Sequence, residues 1–245
     1  MNVQLASISI STATYTAQGL EFDLYVARPK IVTQPLPAIF VAHAWDGLNA
    51  PIETITQRIA QQNYIAVAVD LYGKGIRGEP LGDNSRLMQP LLADREILRD
   101  RLQAGYQAIR AMETVDGTRI GAIGYCFGGL CVLDLARSVP ACLQGVVSFH
   151  GGLTGNGLQE QKPIAARILI EHGWDDPLVP AADYLAFTQE MAERQADWQA
   201  HSHGGAVHAF TFKEANMPEQ GIQYHEVAAQ RAWQSMLNFF AEVFA

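Results

Sequence analysis

Apolar strand-like runs alternate with helical segments along most of the chain, and this alternation constrains the fold more than any other feature. Strands are predicted at 38–44, 63–73, 119–125, 145–151 and 166–173, with helices at 51–62, 88–113, 126–138 and 181–193. Near-continuous apolar runs are typical of strands buried on both faces, and helical crossovers make such strands parallel. The pattern therefore predicts an α/β fold with a mostly parallel central sheet and helices on both faces. Ligands of such sheets bind beyond the carboxyl ends of the strands.

The two ends of the chain add further elements. Segments 4–11 and 20–27 are predicted to pair as a β-hairpin, and AVHAFTF at 206–212 to form a last strand. A final helix is predicted over 222–244. Its apolar residues recur every three or four positions and predict a packing face made of Ala229, Trp233, Leu237, Phe240 and Phe244.

Composition bounds the class of protein. Only 17% of the 245 residues are charged, against about 25% in average proteins, which suits one large core and predicts a single domain over 1–245. The net charge of −8 disfavours a nucleic-acid partner, because phosphate binding needs clustered Lys and Arg. No secretory signal or membrane span is evident. Three cysteines do not form a disulfide framework, and we expect a cytoplasmic monomer or small homo-oligomer.

The sharpest local motif is Gly124-Tyr125-Cys126-Phe127-Gly128, which lies between a predicted strand and a predicted helix. It has the spacing of a nucleophile elbow with sulfur in place of the usual hydroxyl. Strand and helix approach closely in such a turn, so small residues are needed two positions before and after the nucleophile. The helix N-terminus favours a thiolate and an oxyanion. The motif predicts a nucleophilic Cys126.

The same five residues also suit a tight turn that carries a buried structural cysteine, since free cysteine is commonly buried. The strand–turn–helix context favours the nucleophile. Cys131, within the following helix, and Cys142, in the next loop, are predicted to be structural.

An elbow predicts a later acid and then a histidine, each following a strand. Asp175 and Asp176 follow the strand at 166–173, and His208 lies 32 positions beyond Asp176. The histidine would deprotonate the thiol and later protonate the leaving alkoxide, while the acid would orient the imidazole.

The elbow also predicts where an oxyanion is held. One donor is expected to be the backbone N–H of Phe127, and the other that of Trp45, in the loop after the first buried strand. His43 and Asp46 are candidates to line this pocket. For His43, a structural role at the end of the strand is an equal alternative. Aromatic residues near predicted strand ends form a candidate apolar substrate pocket, namely Tyr72, Trp174 and Phe210.

These motifs together resemble the dienelactone hydrolase family. The matching segments are GYCFGG around Cys126, GWDDPLVP around Asp176, VHAF around His208, DLYGKG at 70–75 and the terminal RAWQSMLNFF. The resemblance covers about residues 20–243. It implies an α/β-hydrolase fold, a Cys126–Asp176–His208 triad in which Asp176 rather than Asp175 is the acid, a small ester or lactone substrate and no cofactor. We also expect that no metal takes part in the reaction.

Two positions depart from the family pattern. Ala44 replaces a glutamate that holds the resting thiol, and Phe212 replaces an arginine that binds a substrate carboxylate. A second such arginine would fall in the 80s, where Arg86 is a candidate. We therefore expect the triad chemistry to carry over, and a broader esterase or lactonase that prefers neutral substrates.

Two other functions stay open. His201 and His203, with His208 nearby, are candidate metal ligands, because alternate strand residues point the same way. No helical H-E-x-x-H pattern supports them. The other alternative is a non-catalytic or redox-sensing thiol protein on the same fold.

Overall fold

The computed structural model describes residues 6–79, 82–138, 140–158 and 162–245. Its contacts divide the chain into two compact units, Met1–Ala122 and Ile123–Ala245, which are taken in turn below. The single domain over 1–245 stays a prediction. Within the described ranges, none of the helices is long and apolar enough to cross a membrane.

The first unit is built on four strands in the order β1-β2-β4-β3. Their bounds are Ile8–Ala17 (β1), Leu20–Pro29 (β2), Leu36–Ala42 (β3) and Ile65–Val69 (β4). The predicted hairpin of β1 and β2 is confirmed, although residues 4 and 5 of its first strand lie outside the described part. β2 runs antiparallel to β4, and β4 runs parallel to β3. Every residue of β4 is buried, as its apolar run predicts.

The helices of this unit are α1 (Ala50–Ala60), α2 (Ser85–Ala93) and α3 (Arg95–Arg110). The single helix predicted over 88–113 is wrong, because the chain breaks at Asp94. That carboxylate accepts the N–H groups of Glu96 and Ile97 and so starts a new helix. The first predicted helix is confirmed, with Pro51 in its first turn.

The second unit begins within β5 (Val115–Tyr125) and continues in the order β5-β6-β7-β8. Its strands and helices are α4 (Phe127–Arg137), β6 (Leu143–Phe149), β7 (Arg167–Gly173), α5 (Ala181–Glu193), β8 (Trp198–His203), β9 (Asn216–Met217), β10 (Ile222–Gln223) and α6 (Glu226–Val243). β7 pairs in parallel with both β6 and β8. The predicted α/β class with a mostly parallel sheet is confirmed.

The last parallel strand is not the predicted one. Polar residues 198–203 form β8, whereas the apolar segment 206–212 is a loop. Ala209 has a φ of +56°, which an extended strand does not allow. The loop is apolar because it is buried, so its hydrophobicity reports burial and not strand conformation.

The packing face of α6 also differs from the prediction. Its buried residues are Ala228, Ala232, Met236, Phe239 and Phe240, so the face is rotated by about one residue from the predicted set, which keeps only Phe240 and, just after the helix, Phe244. The helix begins at Glu226 instead of 222, because His225 caps it by accepting the N–H of Ala228.

Close contact between β5 and α4 sets the position of the intervening turn. All eleven residues of α4 are buried. A Cβ atom added at Gly124 would overlap the carbonyl group of Gly128. The elbow therefore closes only with glycine at position 124.

We predict that Gly124→Ala destabilises the protein, because strand and helix would have to separate. Overpacking of this kind costs about 1–3 kcal/mol, and each kcal/mol lowers Tm by about 2–4 °C in a chain of this size. Thermal denaturation followed by circular dichroism measures the change. The matched control is Gly204→Ala, where an added Cβ meets nothing within 4 Å. Equal Tm values for the two variants would contradict the prediction.

Candidate active site

Cys126 occupies the turn between β5 and α4 in a strained conformation. Its φ of +56° and ψ of −116° are rare for a residue with a side chain. The backbone N–H of Cys126 donates to the carbonyl oxygen of Phe149, at the end of β6, over 3.0 Å. The side chain is partly exposed and stands at the N-terminus of α4, whose dipole favours negative charge on sulfur.

One imidazole connects this thiol to a carboxylate. His208 Nε2 lies 3.1 Å from Cys126 Sγ, and His208 Nδ1 lies 2.8 Å from Asp176 Oδ2. Asp176 is buried, and its other oxygen accepts the N–H of Leu178. The neighbouring Asp175 is exposed and accepts the N–H of Gly205 instead. The structure thus brings together the three predicted triad residues, with Asp176 and not Asp175 against the histidine.

The loops that carry the acid and the histidine are joined through their backbones. The N–H of His208 donates to the carbonyl oxygen of Gly221, and the N–H of Gln223 donates back to His208. Gly221 has a φ of +67°, and a Cβ there would overlap the ring of Pro177, which follows Asp176. This close approach holds the imidazole at a fixed distance from the carboxylate. The 221–223 segment was not predicted to take part.

The electrostatics favour a charged imidazole. Burial lowers the pKa of His208, but the negative charge of Cys126 and the hydrogen bond to Asp176 outweigh it and raise the pKa to about 10. The imidazolium can donate to sulfur and to the carboxylate at the same time. The arrangement therefore favours a positively charged His208 between the sulfur and the carboxylate.

Two predicted residues of the first unit have structural partners. His43 is buried. Its Nε2 accepts the N–H of Leu71 and its Nδ1 donates to the carbonyl of Ala44. Burial lowers the pKa of His43 to about 4, so a neutral strand-end histidine is the alternative that the structure favours. Tyr72 is buried and donates its hydroxyl to the carbonyl of Trp45, where it holds the loop in place.

The other predicted residues fall into two groups. Phe127 is the first residue of α4, Arg86 is exposed in the first turn of α2, and Trp174 is half-exposed. The roles predicted for these residues stay predictions. The same holds for Trp45 and Asp46. Phe210 is a correction. Its ring is fully buried and packs between His150 and His203, so it belongs to the core and offers no surface to a substrate.

One further buried histidine, His150, was not identified from the sequence as a candidate site residue. His150 follows β6, and its ring centroid lies 5.3 Å from that of His208. The signal was present in SFHG, a histidine at the carboxyl end of a predicted strand. That edge of the sheet is where chemistry is expected.

Two histidines of the alternative metal site share one carboxylate partner, and the third has other partners. His201 Nδ1 and His203 Nε2 lie 2.9 and 2.7 Å from the two carboxylate oxygens of the buried Glu171. His208 is bound instead to Cys126 and Asp176. In the part of the chain that the structure describes, no cluster of three or more His, Cys, Asp or Glu side chains is arranged to hold a metal ion.

Comparisons with known proteins identify the family of this chain. The profile of the dienelactone hydrolase family matches residues 22–244. A Bradyrhizobium protein named "Probable 2-oxo-3-(5-oxofuran-2-ylidene)propanoate lactonase" is 30% identical, over 88% of this chain and 87% of its own. The crystal structure of P91, described as a dienelactone hydrolase-like promiscuous phosphotriesterase from metagenomic libraries, superposes with a TM-score of 0.92 and 32% identity, over 97% of this chain and 99% of its own. The chain therefore belongs to the dienelactone hydrolase family, as its motifs predict.

Proposed function

We propose that the protein hydrolyses a carboxylic ester or lactone by nucleophilic catalysis at Cys126. The observation that carries the proposal is the hydrogen-bonded series Cys126–His208–Asp176, whose thiol lies in a strained turn at a helix N-terminus. Such a series activates a nucleophile and supplies a proton donor in one unit. The lactonase name of the Bradyrhizobium relative fits the same reaction class.

In the first half-reaction, the Cys126 thiolate attacks the carbonyl carbon and a tetrahedral oxyanion forms. The N–H group of Phe127 is the proposed donor to this oxyanion. As the intermediate collapses, the carbon–oxygen bond of the ester breaks and the His208 imidazolium gives its proton to the leaving alkoxide. The products are an alcohol, a thioester on Cys126 and a neutral imidazole.

In the second half-reaction, neutral His208 takes a proton from a water molecule as that water attacks the thioester carbonyl. The carbon–sulfur bond then breaks, releasing the carboxylic acid product and restoring the thiolate beside the imidazolium. Asp176 keeps Nδ1 protonated and Nε2 directed at the reacting atoms throughout. No cofactor is needed for either step.

The substrates proposed for this site are small and neutral. Phe212, at the position of a carboxylate-binding arginine in the family pattern, packs on the rings of Tyr125 and His150. In the first unit, Arg77 is paired with Asp23 and Lys74 with Glu21. Arg86 is the remaining candidate cation for a substrate carboxylate. The exposed ring of Trp174 is the proposed apolar contact.

The cysteines bear on the cellular compartment proposed for this enzyme. The structure describes Cys126, Cys131 and Cys142 without a disulfide bond, which suits a reducing cytoplasm. We propose a monomer or small homo-oligomer with a small-molecule substrate as its partner.

We predict that iodoacetamide abolishes ester hydrolysis and labels Cys126 before Cys131 and Cys142, because only Cys126 lies beside His208. Mass spectrometry of partly labelled protein, taken with p-nitrophenyl acetate turnover, checks both statements. Cys142→Ser is a control that should keep full activity and the same inactivation rate. Full turnover after complete labelling of Cys126 would refute the nucleophile. A wild-type protein without ester or lactone hydrolysis, but with a reactive Cys126, would favour the redox-sensing alternative.

We predict that Asp176→Asn lowers kcat by a factor on the order of 10⁴, as loss of the orienting carboxylate does in related triads. Asp175→Asn is the matched control, since Asp175 contacts Gly205 and not the histidine. It should change kcat by less than about threefold, within the range of an exposed substitution. Steady-state kinetics on both variants decides, and the opposite ranking would reassign the acid.

We predict that the methyl ester of a dienelactone carboxylate is hydrolysed with a higher kcat/KM than the free carboxylate. An ionised substrate without a buried charge-assisted partner typically loses about 2–5 kcal/mol of binding. The comparison is of kcat/KM for the carboxylate, its methyl ester and p-nitrophenyl acetate. A preference for the free carboxylate would contradict this specificity, and Arg86→Ala, Lys74→Ala and Arg77→Ala would then identify the cation that binds it.

A further inference from the structure

His150 lies directly against the proposed base and has no role in the mechanism above. It is fully buried at the end of β6. Its ring meets that of His208 at 5.3 Å between centroids, with the planes inclined by 67°. Aromatic rings attract one another in this edge-to-face geometry.

The backbone at His150 is strained. Its φ of +39° lies in the left-handed region, which side chains beyond glycine rarely adopt. Its N–H donates to the carbonyl oxygen of Glu171, and the preceding carbonyl, of Phe149, accepts the N–H of Cys126. Strain of this kind persists where surrounding contacts enforce it, and it concentrates at functional sites.

The orientation of the His150 ring is set by a hydrogen bond. Its Nε2 lies 2.7 Å from the hydroxyl oxygen of Thr211, three residues after His208. Phe210 and Phe212 pack on the same ring at 5.4 and 5.6 Å between centroids. The loop that carries His208 thus also fixes the position of the His150 ring.

His150 is neutral beside a charged neighbour. Burial and then the charge of His208 lower its pKa well below the usual value. A neutral ring next to an imidazolium adds packing without adding a repelling charge. A lysine or arginine at position 150 would repel the imidazolium of His208.

We propose that His150 is a positioning residue, which holds the imidazole of His208 between Cys126 and Asp176 through its edge-to-face contact. The two hydrogen bonds of His208 still allow its ring to rotate about the axis through its two nitrogen atoms. The ring of His150, which follows β6, restricts this rotation. The inference rests on the proposed function for its effect on turnover, but its effect on the thiol is independent of turnover.

The test follows the alkylation rate of Cys126 by iodoacetamide as a function of pH, read by mass spectrometry. The titratable groups that face His208 are Cys126, Asp176, His150 and, through its charge, His172. His150→Ala should lower the alkylation rate at pH 7 by roughly three- to tenfold, the size of an edge-to-face contribution. It should also move the half-maximal rate to higher pH, because a displaced imidazolium stabilises the thiolate less.

Two further variants separate positioning from folding. His150→Phe keeps an aromatic ring against His208 but lacks the hydrogen bond to Thr211, so its alkylation rate should lie between those of the wild type and His150→Ala. Thr211→Val removes only the hydrogen bond that orients His150 and should shift the profile in the same direction as His150→Ala. His225→Asn is the histidine control, since asparagine also caps a helix, and it should leave the profile unchanged.

Turnover of p-nitrophenyl acetate gives the second measurement. Replacement of a buried positioning residue, as in His150→Ala, should lower kcat and leave KM unchanged. A folded His150→Ala variant with the wild-type alkylation profile would overturn the proposal, as would a rise in KM at constant kcat. If His150→Ala does not fold, an unshifted profile in Thr211→Val overturns it. If the wild type hydrolyses no ester, the proposed function fails, while the alkylation profiles still decide the role of His150.

Discussion

The strained turn at Cys126 is the constraint on which the proposed site depends. A residue with φ of +56° and ψ of −116° projects its side chain away from the turn and directs its own N–H back to Phe149. The turn is possible only because Gly124 allows β5 and α4 to touch. The burial of all eleven residues of α4 then provides the packing energy that offsets the strain. The thiol is thereby placed by the core and not by a mobile loop.

Nearby negative groups, and not burial alone, decide which buried histidine carries charge. The pKa values of His43, His150 and His172 are all lowered, with desolvation as the largest cause. His208 is equally enclosed, yet its pKa is raised to about 10, because the charge of Cys126 and the hydrogen bond to Asp176 exceed the desolvation cost. A positive charge is therefore favoured on the ring that lies between Cys126 and Asp176. The neighbouring ring of His150 stays neutral and does not compete for that proton.

Sequence patterns predicted what depends on local spacing. The elbow at Cys126, the helix at 181–193 and the buried strands follow from periodicity and from glycine positions, and the structure agrees with them. Patterns failed where tertiary contacts override hydrophobicity. Segment 206–212 is apolar because it packs in the core as a loop, whereas β8 is polar because its edge position needs only the pairing with β7.

The choice of Asp176 over Asp175 shows the same limit at the site. Both carboxylates follow β7, and their spacing from the elbow does not separate them. The family pattern favours Asp176, and the structure places Asp176 against His208 and Asp175 against Gly205. His150 was not predicted for a related reason. Its contact with His208 joins two loops that are far apart in the sequence, and neither loop has a periodic pattern from which such a contact could be predicted.

Phe212 links substrate choice to the geometry of the base. In the family pattern its position carries a cation, but here it contributes a ring that packs on Tyr125 and His150. An arginine there would place a charge beside the ring that holds His208, and it would remove part of the packing that keeps His150 buried and neutral. On the proposed roles, a change of specificity toward carboxylates at this position would therefore also disturb the orientation of the base. In this chain, the residue proposed to disfavour a carboxylate substrate packs on the ring that is proposed to position His208.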